Sequence, residues 1–154
     1  MSRVQLALRV ADLEGSVAFY SKLFGTGPAK RRPGYANFAV TEPPLKLVLI
    51  EGEAGEATRL DHLGVEVTTT EQVAAATGRL KEAGLATFEE NDTSCCYALQ
   101  DKVWVHGPGQ EPWEVYVVKA DADTLTKGAD GQAACCGTAS DAAADTAAAG
   151  CACG

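Results

Sequence analysis

Hydrophobic and polar positions alternate along Val4–Val10. Leu6, Leu8 and Val10 fall on one face and Gln5, Ala7 and Arg9 on the other, which predicts a half-buried strand. Asp12 then offers an N-cap. Val17, Phe19, Tyr20 and Leu23 supply the apolar face of a helix predicted to run to about Phe24, where Gly25-Thr26-Gly27-Pro28 stops it. Three short strands are predicted next, at about residues 29–32, Tyr35–Val40 and Leu45–Glu51, punctuated by Pro33-Gly34 and Pro43-Pro44. Gly52–Thr58, rich in Gly, Glu and Ala, reads as a linker, and the pattern then restarts. Asp61–Val67 predicts a strand. Thr70–Ala83 predicts a helix with Val73, Ala76, Thr77 and Leu80 on one side and Gly84 at its end. Further strands are predicted at about Thr87–Asn91, Tyr97–His106 and Trp113–Lys119. Residues 91–97 read as a loop, and Asp101-Lys102 as turn chemistry within a bend at 100–102.

The two halves match at a constant offset of 57 residues. Gln5-Leu6-Ala7-Leu8-Arg9-Val10 falls on His62-Leu63-Gly64-Val65-Glu66-Val67, Leu23 on Leu80, and Gly27 on Gly84. One offset thus aligns strand, helix and stop signal, which implies two βαβββ modules related by pseudo-symmetry. Gln5 and His62 then occupy equivalent places on equivalent strands. In the last strands Lys46 corresponds to Glu114. The run Trp113–Val118 is otherwise strongly apolar, so an inward-facing Glu114 needs a partner, and a metal ion would be one.

Composition sets the boundary of the folded part. Beyond about Ala120 the aromatic residues vanish, and residues 129–154 are mostly Ala, Gly, Asp, Thr and Cys. Such a segment has too little apolar surface to offset its ordering entropy. The expectation is one domain over residues 1–120, with modules at about 1–51 and 59–120, and a disordered Cys-rich tail over 121–154. The formal net charge of −8 argues against a nucleic-acid partner, which calls for a basic face. No apolar run reaches the roughly 18 residues of a membrane span, and Arg9, Asp12 and Glu14 interrupt any signal peptide. The expected location is the cytoplasm, where thiols stay reduced.

All six cysteines lie after residue 94: Cys95, Cys96, Cys135, Cys136, Cys151 and Cys153. That distribution cannot staple a fold together. Adjacent Cys95 and Cys96 can both bind one soft, thiophilic atom, whereas an ordinary buried Cys is only a small hydrophobe. Trivalent arsenic with one carbon substituent and two exchangeable hydroxyls matches such a pair. Sulfur takes two places and the carbon–arsenic bond is left intact. The tail thiols read either as relays for arsenic or metal or as a dispensable scavenging segment.

The duplicated βαβββ pattern with Gln5, His62 and Glu114 resembles the vicinal oxygen chelate (glyoxalase/dioxygenase) superfamily over about residues 1–120. The resemblance implies an α+β fold in which both modules form a curved mixed-sheet cup. It also implies a three-ligand metal site at Gln5, His62 and Glu114, since the fourth position falls on Lys46, whose ammonium cannot ligate. Within the superfamily, Asn91-Asp92-Thr93-Ser94-Cys95-Cys96-Tyr97 and the Cys-rich tail resemble the carbon–arsenic lyases. These are non-haem Fe(II)-dependent dioxygenases that act on trivalent organoarsenicals such as methylarsenite and aromatic arsenicals. The resemblance implies Fe(II) as cofactor, O2 as co-substrate, arsenic capture by Cys95 and Cys96, and detoxification to arsenite. It departs from the two-His, one-carboxylate pattern of such oxygenases, because Gln5 stands where a His is usual. Modules of this superfamily pair within a chain or swap between chains, so a monomer and a homo-oligomer both remain open. A thiol transferase of the fosfomycin-resistance type using Mn(II) would explain the triad but not Cys95-Cys96. A non-catalytic arsenical-binding protein would explain the thiols but not the triad.

Overall fold

A computed structural model of the chain describes residues 1–125. The elements follow in the order β1 (Arg3–Val10), α1 (Leu13–Phe24), β2 (Lys30–Arg32), β3 (Tyr35–Val40), β4 (Leu45–Glu51), β5 (Arg59–Glu66), α2 (Thr70–Glu82), β6 (Phe88–Cys95), β7 (Ala98–His106) and β8 (Pro112–Asp121). This is the predicted βαβββ unit twice over. The eight strands form one curled mixed sheet in the order β2-β3-β4-β1-β5-β8-β7-β6. In each module the first strand runs parallel to the last, β1 beside β4 and β5 beside β8. The modules join through the antiparallel β1–β5 pair at the centre of the sheet.

Each helix covers the outer face of its own module. Asp12 caps α1 by accepting from the Gly15 amide, and Gly25, with φ of 64°, closes it in the left-handed region. Thr69 and Gln72 form a capping box at the start of α2. The outer core joins Val10, Leu13, Val17, Phe38, Leu47 and Leu49 in the first module. Val73, Val103 and Val117 form its counterpart in the second.

Local structure departs from the sequence pattern in three places. The stripe of α1 that meets the sheet is Leu13, Val17, Tyr20 and Phe24, at steps of four, three and four residues. Phe19 and Leu23 lie off it and are both 59% exposed. The stretch expected as a loop is strand as far as Cys95, because a register shift between Glu90 and Thr93 lets the polar residues continue the β6–β7 ladder. Asp101 and Lys102 are not in a turn. Both are buried in β7, where Asp101 accepts from the Asp92 amide at 2.8 Å and from the Thr70 hydroxyl at 2.9 Å.

Strand β8 runs on to Asp121, and residues 122–125 pack back against the β6–β7 turn. The tail is expected over 121–154; its residues 126–154, with Cys135, Cys136, Cys151 and Cys153, lie outside the described residues. Among the described residues, no helix is long and apolar enough to cross a membrane.

Candidate functional site

The alternation along β1 turns Leu6, Leu8 and Val10 toward α1 and leaves Gln5, Ala7 and Arg9 on the concave face. The central strands carry this face sideways in register. Lys46 on β4 pairs with Gln5 on β1, Gln5 with Gly64 on β5, Gly64 with Glu114 on β8, and Glu114 with Trp104 on β7. His62 lies two residues along β5 from Gly64 and therefore shares its face. Gly64 is the low point of this row. A Cβ there would stand 3.1 Å from Glu114 Cγ and 3.3 Å from both Gln5 Cβ and Tyr116 Cε1. A bare backbone at that position lets the side chains of the flanking strands close over it.

They close to hydrogen-bonding distance. Gln5 Nε2 is 2.9 Å from His62 Nε2 and donates to Glu114 Oε1 at 2.8 Å, and His62 Nε2 is 3.3 Å from Glu114 Oε1. All three residues are buried. The structure thus brings together Gln5, His62 and Glu114. Among the described residues no group of three His, Cys, Asp or Glu side chains forms a comparable cluster, so the amide is what completes this one.

Buried charges surround the three groups in an ordered chain. The Arg9 guanidinium bonds Asp61 Oδ2 at 2.6 Å, Asp61 Oδ1 meets His62 Nδ1 at 2.7 Å, and the Lys102 ammonium donates to Glu114 Oε2 at 2.7 Å. Burial pushes the Glu114 carboxyl up, but the Lys102 ammonium and His62 outweigh it and bring the pKa down to about 2. Burial lowers that of His62, yet the bonds from Asp61 and Glu114 win and raise it to about 9. Asp61 reaches His62 because of an irregularity in the ladder. Ala7 pairs with His62 and Leu8 with Leu60, so Asp61 is the extra residue of a bulge, and the bulge re-aims its side chain.

The dithiol sits at the tip of the β6–β7 hairpin. Cys95 pairs with Ala98, and the two residues between, Cys96 and Tyr97, have φ of 53° and 60°. Positive φ at both central positions marks a type I′ turn, which ordinarily takes Asn-Gly. Two L-residues there cost about 1–2 kcal/mol each. Neighbouring segments hold the turn in place. Cys96 and Tyr97 amides donate to the Leu125 and Thr124 carbonyls at 3.0 and 2.9 Å, and the Ala122 amide donates to Tyr97 O at 3.0 Å. The Tyr97 hydroxyl donates to Pro33 O at 3.0 Å. The two sulfurs are 3.3 Å apart, well beyond the roughly 2.05 Å of a disulfide, so both are thiols.

Cys96 and the three convergent side chains share one cavity of about 50 Å³. Gln5, His62 and Glu114 line its floor, Cys96 lines it as well, and Lys30, Lys46 and Lys102 bring three ammonium groups. Cys95 is buried against Trp104, whose ring meets His62 edge-on at 5.6 Å. A larger depression of about 440 Å³, lined by Met1, Arg3, Thr41 and Glu66, contains none of these groups.

Residues whose part in the site the sequence reading did not single out are Arg9, Asp61 and Glu66, together with Lys102, which it placed in a turn. The dipeptide Asp61-His62 is a signal of sorts, since a carboxylate commonly fixes the tautomer of a working histidine. Alternation would place adjacent residues on opposite faces, however, and only the bulge overrides it. Lys102 is an ammonium inside an apolar strand, which calls for a buried carboxylate such as Glu114.

Residues 3–115 match the model of the Glyoxalase/Bleomycin resistance protein/Dioxygenase superfamily. The chain is 76% identical over 136 residues to a trivalent organoarsenical cleaving enzyme of Thermomonospora curvata, covering 88% of this chain and 89% of that one. Among solved structures it resembles an extradiol ring-cleaving dioxygenase from B. fuscum, with a TM-score of 0.56 and 23% identity over 79% of this chain and 34% of the other. It also resembles the Mn(II)-bound glyoxalase of Novosphingobium aromaticivorans, with a TM-score of 0.56 and 21% identity over 82% and 44%.

Proposed function

The chain belongs to the Glyoxalase/Bleomycin resistance protein/Dioxygenase superfamily, and we propose that it breaks the carbon–arsenic bond of trivalent organoarsenicals with a divalent iron at Gln5, His62 and Glu114 and dioxygen as oxidant. One observation carries the reading: Cys96 lines the same small cavity as the three convergent donors, and its sulfur stands 3.3 Å from that of Cys95. The 76% identity to an enzyme named for cleaving such compounds supports the substrate class.

The donor set fits a divalent cation. Cis ligands of an ion with metal–donor distances near 2.1 Å lie about 3 Å apart; Gln5 Nε2, whose place the amide oxygen takes when the end group turns over, stands 2.9 and 2.8 Å from His62 Nε2 and Glu114 Oε1, which are 3.3 Å from each other. A carboxylate, an imidazole and an amide oxygen on one side would leave the other side open. Bound there, Fe(II) would supply the activation of dioxygen. Lys102 occupies Glu114 Oε2, so Glu114 offers the single atom Oε1. Asp61 accepts the Nδ1 proton of His62 and presents Nε2 inward.

Cys95 and Cys96 exchange for the two hydroxyls of the arsenical, releasing water, and the turn points the remaining carbon substituent into the cavity. The balance closes for methylarsenite. Its atoms plus those of one dioxygen equal the atoms of arsenite and formaldehyde, so no separate reductant enters. The cavity is about a third of the roughly 150 Å³ that accommodates benzene. A methyl group fits it, and an aryl ring calls for the Cys95–Tyr97 turn to swing outward. The test is arsenite release from methylarsenite by chelator-stripped protein reloaded with Fe(II). Release is expected only with iron and O2 both present. Release under nitrogen, or without metal, would overturn the oxygen chemistry.

Gly64→Ala probes the floor of the site without touching a polar atom. The added methyl must displace Glu114, Gln5 or Tyr116 by a few tenths of an ångström. The expected loss is about 10- to 100-fold in arsenite release, with a melting point lowered far less than a comparable loss of folded protein would require. Kinetics and thermal melting on one preparation check it.

A further inference from the structure

We propose that Tyr116, anchored by Glu66, is a positioning residue that turns the Gln5 amide so that its oxygen faces His62 and Glu114. The inference rests on the metal reading above and goes beyond it to how an amide is made a dependable ligand. An amide has two nearly isosteric orientations with opposite chemistry. Its oxygen can bind a cation, and its nitrogen, whose lone pair is delocalised, cannot. Something outside the triad has to choose between them.

The far end of the Gln5 amide touches the Tyr116 hydroxyl, which is also 2.8 Å from Glu66 Oε2. That hydroxyl has one proton and two neighbours. In the structure Tyr116 donates to Gln5 Oε1, and the amide nitrogen faces inward and donates to Glu114 Oε1. With Tyr116 donating to Glu66, its oxygen presents only lone pairs to Gln5. The amide then meets them with Nε2–H and turns Oε1 toward His62 and Glu114.

Glu66 is built to take that proton's bond. Lys46 Nζ stands 2.8 Å from its Oε2 and Arg3 donates to its Oε1 at 2.9 Å, so two cations keep it ionised although it is largely buried. Burial favours its neutral form, but Lys46 and Arg3 prevail and hold its pKa below the usual range. A hydrogen bond to an ionised carboxylate is about twice as strong as one to a neutral amide. The balance therefore tips toward Glu66. The five residues stand in adjacent rows of the same sheet: Arg3 pairs with Glu66, Glu66 with Tyr116, and Gln5 with Lys46.

The test is a double-mutant cycle on the full chain, read as Co(II) and Mn(II) dissociation constants by calorimetry, with circular dichroism for the fold. Tyr116→Phe is expected to weaken binding about 10- to 100-fold. In a Gln5→Glu background the same change is expected to matter less than about threefold, because a carboxylate presents oxygen whichever way it turns. Glu66→Gln, which leaves the tyrosine in place, is expected to weaken binding in the same direction and serves if Tyr116→Phe does not fold. Unchanged affinity in Tyr116→Phe, or an equal loss in both backgrounds, would overturn the positioning role alone. Failure of the unaltered protein to bind either ion would overturn the metal reading together with it.

Discussion

Cys96→Ser is expected to reduce arsenite release from methylarsenite by about a hundredfold or more while leaving the fold intact. Two thiolates on one arsenic act as a chelate, and the second sulfur closes at high effective concentration once the first has bound. A serine hydroxyl is a hard, weakly acidic donor and does not replace it. Cys96 is half-buried at the turn, so a hydroxyl there can still reach polar partners. Cys95 is 1% exposed against Trp104. Cys95→Ser therefore adds the roughly 1–3 kcal/mol of a buried hydroxyl to the same chemical loss. Both variants should lose activity, and Cys95→Ser alone should melt earlier. Activity retained in Cys96→Ser would remove the dithiol from the reaction.

Glu114→Ala is expected to have the largest effect on stability. Removing this carboxylate takes from the Lys102 ammonium, 2% exposed, the anion that stands 2.7 Å from it. Breaking one partner of such a buried pair costs about 3–5 kcal/mol, or roughly 10–20 °C in melting temperature for a domain of this size. The pH dependence has a definite sign. The Glu114 pKa is lowered in the folded state from 4.5 to about 2. Its charged form therefore contributes stability that is fully present above pH 4.5 and is lost as pH falls toward about 2. The difference between the unaltered protein and Glu114→Ala in urea unfolding should be wide at pH 7 and narrow on acidification through that window. Divalent-ion binding should be lost at every pH.

Much of the fold was legible because the repeat constrains it twice. One offset placed two strands, two helices and their stops, and the pairing of Gln5 and His62 on one concave face followed from alternation alone. Glu114 was legible from a single carboxylate in an apolar run. What failed was local. The polar stretch before Cys95 lacks the apolar alternation of a strand, yet it is one, because β7 supplies its ladder and Asp101 takes up the amide of the bulge. Phe19 and Leu23 matched the apolar pattern of α1, but the helix touches the sheet along a narrower stripe. Lys102 looked like surface chemistry beside Asp101, since a sequence does not show that its partner lies on the neighbouring strand.

The surrounding charges were the least legible part. Asp61 serves His62 through a one-residue bulge, and Glu66 serves Gln5 through Tyr116. Tyr116 itself lies inside the apolar run Trp113–Val118, where the sequence shows nothing to set its hydroxyl apart. These contacts join strands far apart in the chain, and no spacing rule reports them. Residues 122–125 carry the same lesson. Their composition is that of a tail, but their backbone supplies the carbonyls that hold the strained Cys96-Tyr97 turn.

The central claim is that the dithiol presents an arsenic-bound carbon to an oxidising metal in one cavity. X-ray absorption at the arsenic edge tests it most directly, on protein with Cys135, Cys136, Cys151 and Cys153 replaced by serine. Loaded with Fe(II) and methylarsenite under nitrogen, arsenic should show two sulfur neighbours and one carbon. On admission of air the carbon should be replaced by oxygen while both sulfurs persist until arsenite leaves. Arsenic bound by fewer than two sulfurs, or a carbon neighbour that survives dioxygen in the iron-loaded protein, would contradict the account.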